Sequence, residues 1–291
     1  MQIDFLAVGH ATQDRTPGGF RRGGTVSYAG ATARLLGRRP GILTRASADG
    51  LIVHETADLP ENATAPFGSE LHGVAIHLLA SPVSTTFVNI YRDGKRTQVL
   101  ETLAGPIDVA DLPAAWSDVP VVLLGPIAAE LPPSWASQFP NSIMGITPQG
   151  WMRKWDSEGH VSPARWADAE PHLRRADAVI LSRDDVGGDD TYIAELARQA
   201  RVLLVTDGWH PVTVYRAGFR YDVPARPTQE VDPTGAGDVF ATAFLIRFAE
   251  TGDPLVAAHF ATVVASMSVE GPGMATIPDR TRVEDWLSLH G

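Results

Sequence analysis

Residues 231–245, VDPTGAGDVFATAFL, bring together the residue types needed for chemistry on a negatively charged group. Two aspartates, Asp232 and Asp238, bracket a Thr-Gly-Ala-Gly turn, and a small, apolar run with helical spacing follows at once. As plain structure this is a strand-to-helix turn, in which Asp232 or Thr234 caps the helix and the glycines permit the bend. As a site it offers more. The N–H groups of Gly235, Ala236 and Gly237 at a helix start would form a nest that stabilises negative charge. Asp238 beside that nest could take the proton of an incoming hydroxyl. The paired aspartates favour the second reading, as do the small Ala241 and Ala243 that let the helix pack closely.

Other chemistries lack their residues. A dinucleotide fingerprint needs a third glycine three positions after Gly237, where Phe240 stands, and a Walker A loop fails because Gly94-Lys95 is followed by Arg96. The nine histidines show no H-x-H or H-E-x-x-H spacing, and no Gly-x-Ser-x-Gly elbow exists. With no cysteines, disulfide and thiolate chemistry are excluded. A formal net charge of -10, without a long basic run, argues against nucleic acid or an anionic membrane as the main partner. The opening MQIDFLAVGH has no basic n-region or long apolar stretch, so it reads as a first strand, and the chain is expected to be cytoplasmic.

The elements that must position the turn follow from pattern. The 291 residues with 44% hydrophobic content can bury a sizeable core. Short continuous apolar runs, IDFLAVG, GILTRAS, VPVVLLG, NSIMGIT, ADAVILS and RVLLVTDG, read as strands of a parallel sheet covered on both faces. SYAGATARLLG and TYIAELARQA have helical spacing, and VTVYRAGFRYDV reads as a hairpin. Residues 72–103 have a different texture, with Val, Ile, Thr and Phe alternating around Arg-Asp-Gly, which predicts antiparallel ribbon. Two helices, around 237–250 and 254–270, are expected to close the chain. The expectation is an α/β protein with one domain over 1–291, a mostly parallel central sheet flanked by helices, and a small β-rich lid from about 10–26 and 72–103.

DPTGAGD in the C-terminal third resembles the signature of the ribokinase-like (PfkB-type) carbohydrate kinases. The resemblance extends over nearly the whole chain. VGHATQD is similar to the family's first strand and the sugar-binding aspartate it delivers, here Asp14. RRGGTVSYAGATARLLG is similar to its di-glycine motif, at Gly23 and Gly24, and LVTDGWHPVTVY to the strand and turn of its nucleotide site. The resemblance implies that Asp238 is the general base, that the amides of Gly235, Ala236 and Gly237 form the anion hole, and that Asp232 lies near the acceptor or a monovalent-cation loop. It further implies ATP and Mg2+ as cofactors, with Thr206, Asp207, Gly208 and Thr234 on the nucleotide. The family's paired lids imply a monomer or a homodimer.

Two departures bear on this reading. The family's Asn-x-x-Glu run, which helps hold magnesium, is replaced by Ser182-Arg183-Asp184-Asp185, where Asp185 could act through water or simply cap a helix. Tyr28 stands where sugar kinases often place a substrate-binding asparagine. With Asp14 it suits a compact polyol ring stacked on one side. Within ITPQGWMRKWD, Gln149 and Arg153 follow a predicted strand end, and Arg153 is a candidate substrate or phosphate contact, a surface salt bridge being the alternative. Trp151, Trp155 and Trp166 are expected to be packing residues. The Gly-Gly-x-x-x-Tyr and Gln-Gly-x-x-Arg runs resemble the family's inositol-kinase branch, which places cyclitols ahead of hexoses and then nucleosides as acceptor. The alternative is a binding or regulatory protein without turnover, favoured only by the altered Asn-x-x-Glu region.

Overall fold

The computed structural model describes residues 2–16, 19–47, 69–92 and 95–290. In chain order the strands are β1 (Phe5–Val8), β2 (Thr12–Thr16), β3 (Gly19–Gly23), β4 (Pro40–Ala46), β5 (Ala75–Ala80), β6 (Thr86–Arg92), β7 (Lys95–Thr102) and β8 (Val121–Leu124). They continue as β9 (Ile143–Ile146), β10 (Arg153–Trp155), β11 (Val161–Pro163), β12 (Ala178–Ser182), β13 (Val202–Thr206), β14 (Val212–Arg216) and β15 (Phe219–Val223). The helices are α1 (Thr25–Leu35), α2 (Ala169–Arg175), α3 (Asp190–Gln199), α4 (Ala236–Thr251), α5 (Pro254–Ser268) and α6 (Arg280–His290).

Nine strands form one sheet in the order β15-β14-β13-β12-β9-β8-β1-β4-β5. Seven of them, β13 through β5, run parallel, and β14 and β15 add an antiparallel hairpin at one edge. Successive strand residues serve opposite cores. Val121 and Leu123 face the layer of α1, α4 and α5, whereas Val122 and Leu124 face the layer of α2 and α3. That two-sided burial is why these strands read as unbroken apolar runs, and each fully buried aliphatic side chain contributes roughly 1.5–3 kcal/mol.

β1 is the point from which the chain winds both ways, to β4 and β5 on one side and to β8 and β9 on the other. Sheets of this kind collect ligands outside the carboxyl ends of the strands at such a switch. A separate four-stranded sheet, β3-β2-β6-β7, stands off those ends, and β10 and β11 form a small antiparallel pair joined to it through a bridge from Val99 to His160.

Two expectations are corrected here. Residues 75–80 are not antiparallel ribbon: β5 pairs in parallel with β4 and forms the edge of the main sheet, leaving 86–102 to the small sheet. A half-buried edge strand alternates in polarity as a ribbon strand does, so the pattern cannot separate them. The chain also closes with three helices rather than two. Only Val283 of α6 is fully buried, so its apolar stripe is too thin to register, although Asp279 accepts the Arg282 N–H at 2.9 Å near its start. The Asp93-Gly94 turn lies outside the described residues.

Candidate active site

The carboxyl ends of the strands, the small sheet and the start of α4 enclose a cleft of about 1840 Å3. Single-ligand pockets span roughly 300–1,000 Å3, so this one has room for two ligands side by side. Thr147, Ser182 and Thr206 line it from the strand ends, Asp14, Arg21 and Phe87 from the small sheet, and residues 232–238 from the turn.

The turn is built around Gly235. Its φ of 78° is left-handed, and a Cβ there would come within 2.5 Å of the Tyr28 ring, so no other residue fits. Gly235, not Asp232 or Thr234, occupies the N-cap position of α4. Asp232 works one step earlier, its Oδ1 accepting the Thr234 N–H at 3.0 Å. The Ala236 N–H is already directed at the Pro233 carbonyl at 3.1 Å, which leaves Gly235 and Gly237 as the amides without a protein acceptor. Gly237 has ordinary backbone geometry, and a Cβ there would meet nothing within 4 Å; it contributes open space rather than an unusual φ.

Asp238, in the first turn of α4, is half-buried and lines the cleft. Burial pushes its pKa up from 3.8 to about 6; the Thr25 hydroxyl and the Arg153 charge oppose the rise, and the Asp185 charge adds to it. At neutral pH it is therefore ionised yet more basic than an ordinary carboxylate. Asp232 behaves oppositely: burial alone would raise its pKa, but bonds from Thr234 and Gly273 and the Arg21 charge hold it below the usual value.

The acceptor-side candidates converge on the same cleft. Asp14 lies on β2, and on β3 a Cβ at Gly23, opposite Thr12, would come within 2.8 Å of the Thr12 hydroxyl and 2.9 Å of the Asp14 carboxylate. Gly24 is the N-cap of α1 at φ 85°, where a Cβ would strike the His10 carbonyl. Tyr28 differs from expectation. It is only 2% exposed, because its ring is packed on Gly235, so it has no open face on which a substrate ring could stack. Its hydroxyl is buried with no hydrogen-bond partner among the described residues, and burial, followed by the charges of Asp238 and Asp232, pushes its pKa up.

Arg153 lines the cleft, its guanidinium 5.9 Å above the Phe87 ring and near enough to Asp238 to lower that pKa. Asp185 caps its own turn, Oδ2 accepting the Ser182 N–H at 2.8 Å, and Oδ1 accepts from Gln149 at 2.9 Å. Among the described residues no three His, Cys, Asp or Glu side chains gather to hold a metal directly. Asp185 lines the cleft with both oxygens already accepting one hydrogen bond, which would suit Mg2+ through its coordinated waters rather than directly. Of the nucleotide-side candidates Thr206, Gly208 and Thr234 line the cleft, whereas Asp207 points to a separate small cavity with Arg183 and His210. Trp209, 76% exposed on the cleft rim, and Arg21 were not among the candidates. Trp151 and Trp166 stack at 5.1 Å in the core with His172, as packing residues should.

The model of the pfkB family carbohydrate kinases matches residues 179–281, which include Asp185, Thr206, Gly208 and the whole turn through Asp238. Residues 179–281 are thus similar to the pfkB family carbohydrate kinases. Ribokinase of Bacillus subtilis is 37% identical over 94 residues, 32% of each chain, and fructokinase of Klebsiella pneumoniae 38% identical over 90 residues, 28% of this chain and 29% of its own. These matches thus span about a third or less of the curated relatives. Cytidine kinase of Thermococcus kodakarensis is 24% identical over 282 residues, 87% of this chain and 91% of its own.

Among solved structures, a pyrophosphate-dependent kinase in the ribokinase family, complexed with a pyrophosphate analog and myo-inositol, superposes with a TM-score of 0.76 at 23% identity, covering 97% and 99% of the two chains. Ribokinase of Arabidopsis thaliana, complexed with ribose and ATP, gives 0.70 at 18%, covering 99% of each. The architecture is therefore the ribokinase fold. No helix among the described residues is long and apolar enough to cross a membrane.

Proposed function

We propose that this protein is a small-molecule kinase that transfers the terminal phosphoryl group of ATP to an alcohol of a cyclitol, sugar or nucleoside. The observation that carries the reading is the pairing, within one cleft, of a carboxylate raised to about 6 with the Gly235 and Gly237 amides at the start of the same helix. Asp238 takes the proton as the acceptor oxygen attacks the terminal phosphorus. The bond to the bridging oxygen breaks, ADP departs, and a phosphate monoester remains. Donors preset around the developing charge supply most of the catalysis in such a transfer. The two turn amides meet the transferring oxygens at the positive end of α4, and Arg153 adds a full charge beside them. Asp185 would hold Mg2+ through its waters, and the ion would supply charge neutralisation at the donor phosphates.

Asp14 binds vicinal hydroxyls of the acceptor, with Gly23 and Gly24 keeping that corner narrow and Tyr28 packed beneath it as part of the floor. Thr206, Gly208 and Thr234 contact the donor. Cyclitols stand first among acceptors, supported by the Gly-Gly-x-x-x-Tyr and Gln-Gly-x-x-Arg runs and by the fold shared with a myo-inositol-bound kinase. The protein works as one cytoplasmic domain, a monomer or homodimer, with strands β2, β3, β6 and β7 as its lid. The deciding experiment measures Mg2+-dependent product release with ATP and with pyrophosphate, against myo-inositol, fructose, ribose, 2-keto-3-deoxygluconate, adenosine, inosine and cytidine. Turnover of cyclitols with ATP supports the reading. Turnover only with pyrophosphate replaces the donor, turnover only of nucleosides replaces the acceptor, and silence across the panel favours a binding protein.

A further inference from the structure

The small sheet and the transfer turn are joined by one ion pair across 211 residues of sequence, Arg21 Nη1 donating to Asp232 Oδ2 at 2.8 Å. Arg21 lies on β3, directly opposite Asp14 on β2, and both residues line the cleft. Asp232 divides its carboxylate between two tasks. Oδ1 fixes the Thr234 N–H, the residue before the left-handed Gly235, and Oδ2 receives the Gly273 N–H at 2.9 Å as well as Arg21. Gly235 is in turn wedged against the Tyr28 ring. A shift of Asp232 is thus passed to Thr234 and to the amide at Gly235, because close contacts at both ends leave the turn little freedom to absorb it.

We propose that Arg21 is a positioning residue that holds Asp232 from the small sheet and thereby sets the amides of Gly235 and Gly237 in line for phosphoryl transfer. It rests on the kinase reading for its catalytic consequence but not for its structural one. Its chemistry fits the task. A guanidinium keeps its charge at every working pH and presents directed N–H groups, so it can serve one carboxylate oxygen without drawing away the other. Arg21 is 42% exposed and Asp232 14%, so the pair contributes little to overall stability while remaining well directed. In-line transfer is sensitive to small misplacements, so a loosened turn should show as lost turnover rather than lost folding.

The test compares Arg21→Met, which keeps length and removes charge, with Arg21→Lys, which keeps the charge. Backbone hydrogen exchange is read by mass spectrometry on the full chain without ligands, together with steady-state kinetics. Arg21→Met should speed exchange across residues 233–238 by about tenfold while the core strands of the main sheet stay unchanged. It should lower kcat about tenfold with KM for the acceptor within about threefold, and Arg21→Lys should recover most of both effects. Unchanged exchange at 233–238 in Arg21→Met overturns the proposal whether or not the enzyme turns over. Exchange rising equally in the core strands overturns it by making the pair a general stabiliser. A raised acceptor KM with unaltered kcat overturns it by making Arg21 an acceptor ligand. If no donor and acceptor support turnover in the unmodified protein, the kinase reading fails, and the exchange result alone decides the role of Arg21.

Discussion

At the residue scale, Asp238 carries two consequences of opposite sign. As the proposed base, it should set the acid limb of the pH profile, with kcat/KM rising through about pH 6 and levelling above it. Asp238→Asn should lower kcat by about 100-fold or more, the usual worth of a positioned base, with donor binding retained. As a buried charge, the same residue opposes folding. Its folded pKa lies above the unfolded value of 3.8, so between these values the folded state holds the proton longer and stability falls as pH rises toward about 6. A rise of this size is worth at most about 3 kcal/mol, and the cleft-facing edge of the residue reduces it. Asp238→Asn should therefore melt higher than the unmodified protein at pH 8 and no higher at pH 3.5, as differential scanning calorimetry can measure. A mutant equally active, or less stable at pH 8, contradicts this account of the site.

At the scale of elements, the turn and the small sheet make separable claims. Gly235→Ala forces a side chain into a left-handed position and into the Tyr28 ring, so it should cost both activity and at least about 1 kcal/mol of stability. Gly237→Ala meets open space and helical geometry, so its melting temperature should hold or rise slightly while activity falls as the methyl group crowds the phosphate. Equal behaviour of the two variants in paired melting and turnover measurements would deny the distinction. The sequence makes this turn conspicuous because its glycines and aspartates are contiguous. Which glycine is strained is a matter of backbone angle, and nothing in Gly-Ala-Gly declares it. The parallel strands were legible because burial on both faces leaves runs such as VVLL with no polar interruption. β5 and α6 were not, since one is a half-buried edge and the other rests on Val283 and a few partly buried neighbours. Arg21 escaped notice for another reason: its partner is 211 residues away, and only the fold brings the two together.

At the scale of the whole molecule, the cleft joins the nine-stranded sheet to a smaller one, and the proposed function divides the two ligands between them. The donor-side residues Thr206, Gly208 and Thr234 all belong to the large body, whereas Asp14, Arg21, Gly23 and Phe87 belong to the small sheet. On the proposed reading an acceptor bridges the two parts, and a donor does not. Ligand binding to the folded state adds about 2.7 kcal/mol at a hundredfold excess over Kd, which for a chain of this size raises Tm by several degrees. A nonhydrolysable ATP analogue and the best acceptor should each produce such a shift. Replacing residues 86–100 by a short Gly-Ser turn removes most of β6 and β7, which leaves β2 without its parallel partner β6. In that variant the shift from the ATP analogue should persist and the shift from the acceptor should vanish, measured by thermal melts at matched excess. Loss of both shifts in a variant whose circular dichroism still shows the folded body would mean that the small sheet shapes the donor site too, and the division between the two parts would have to be abandoned.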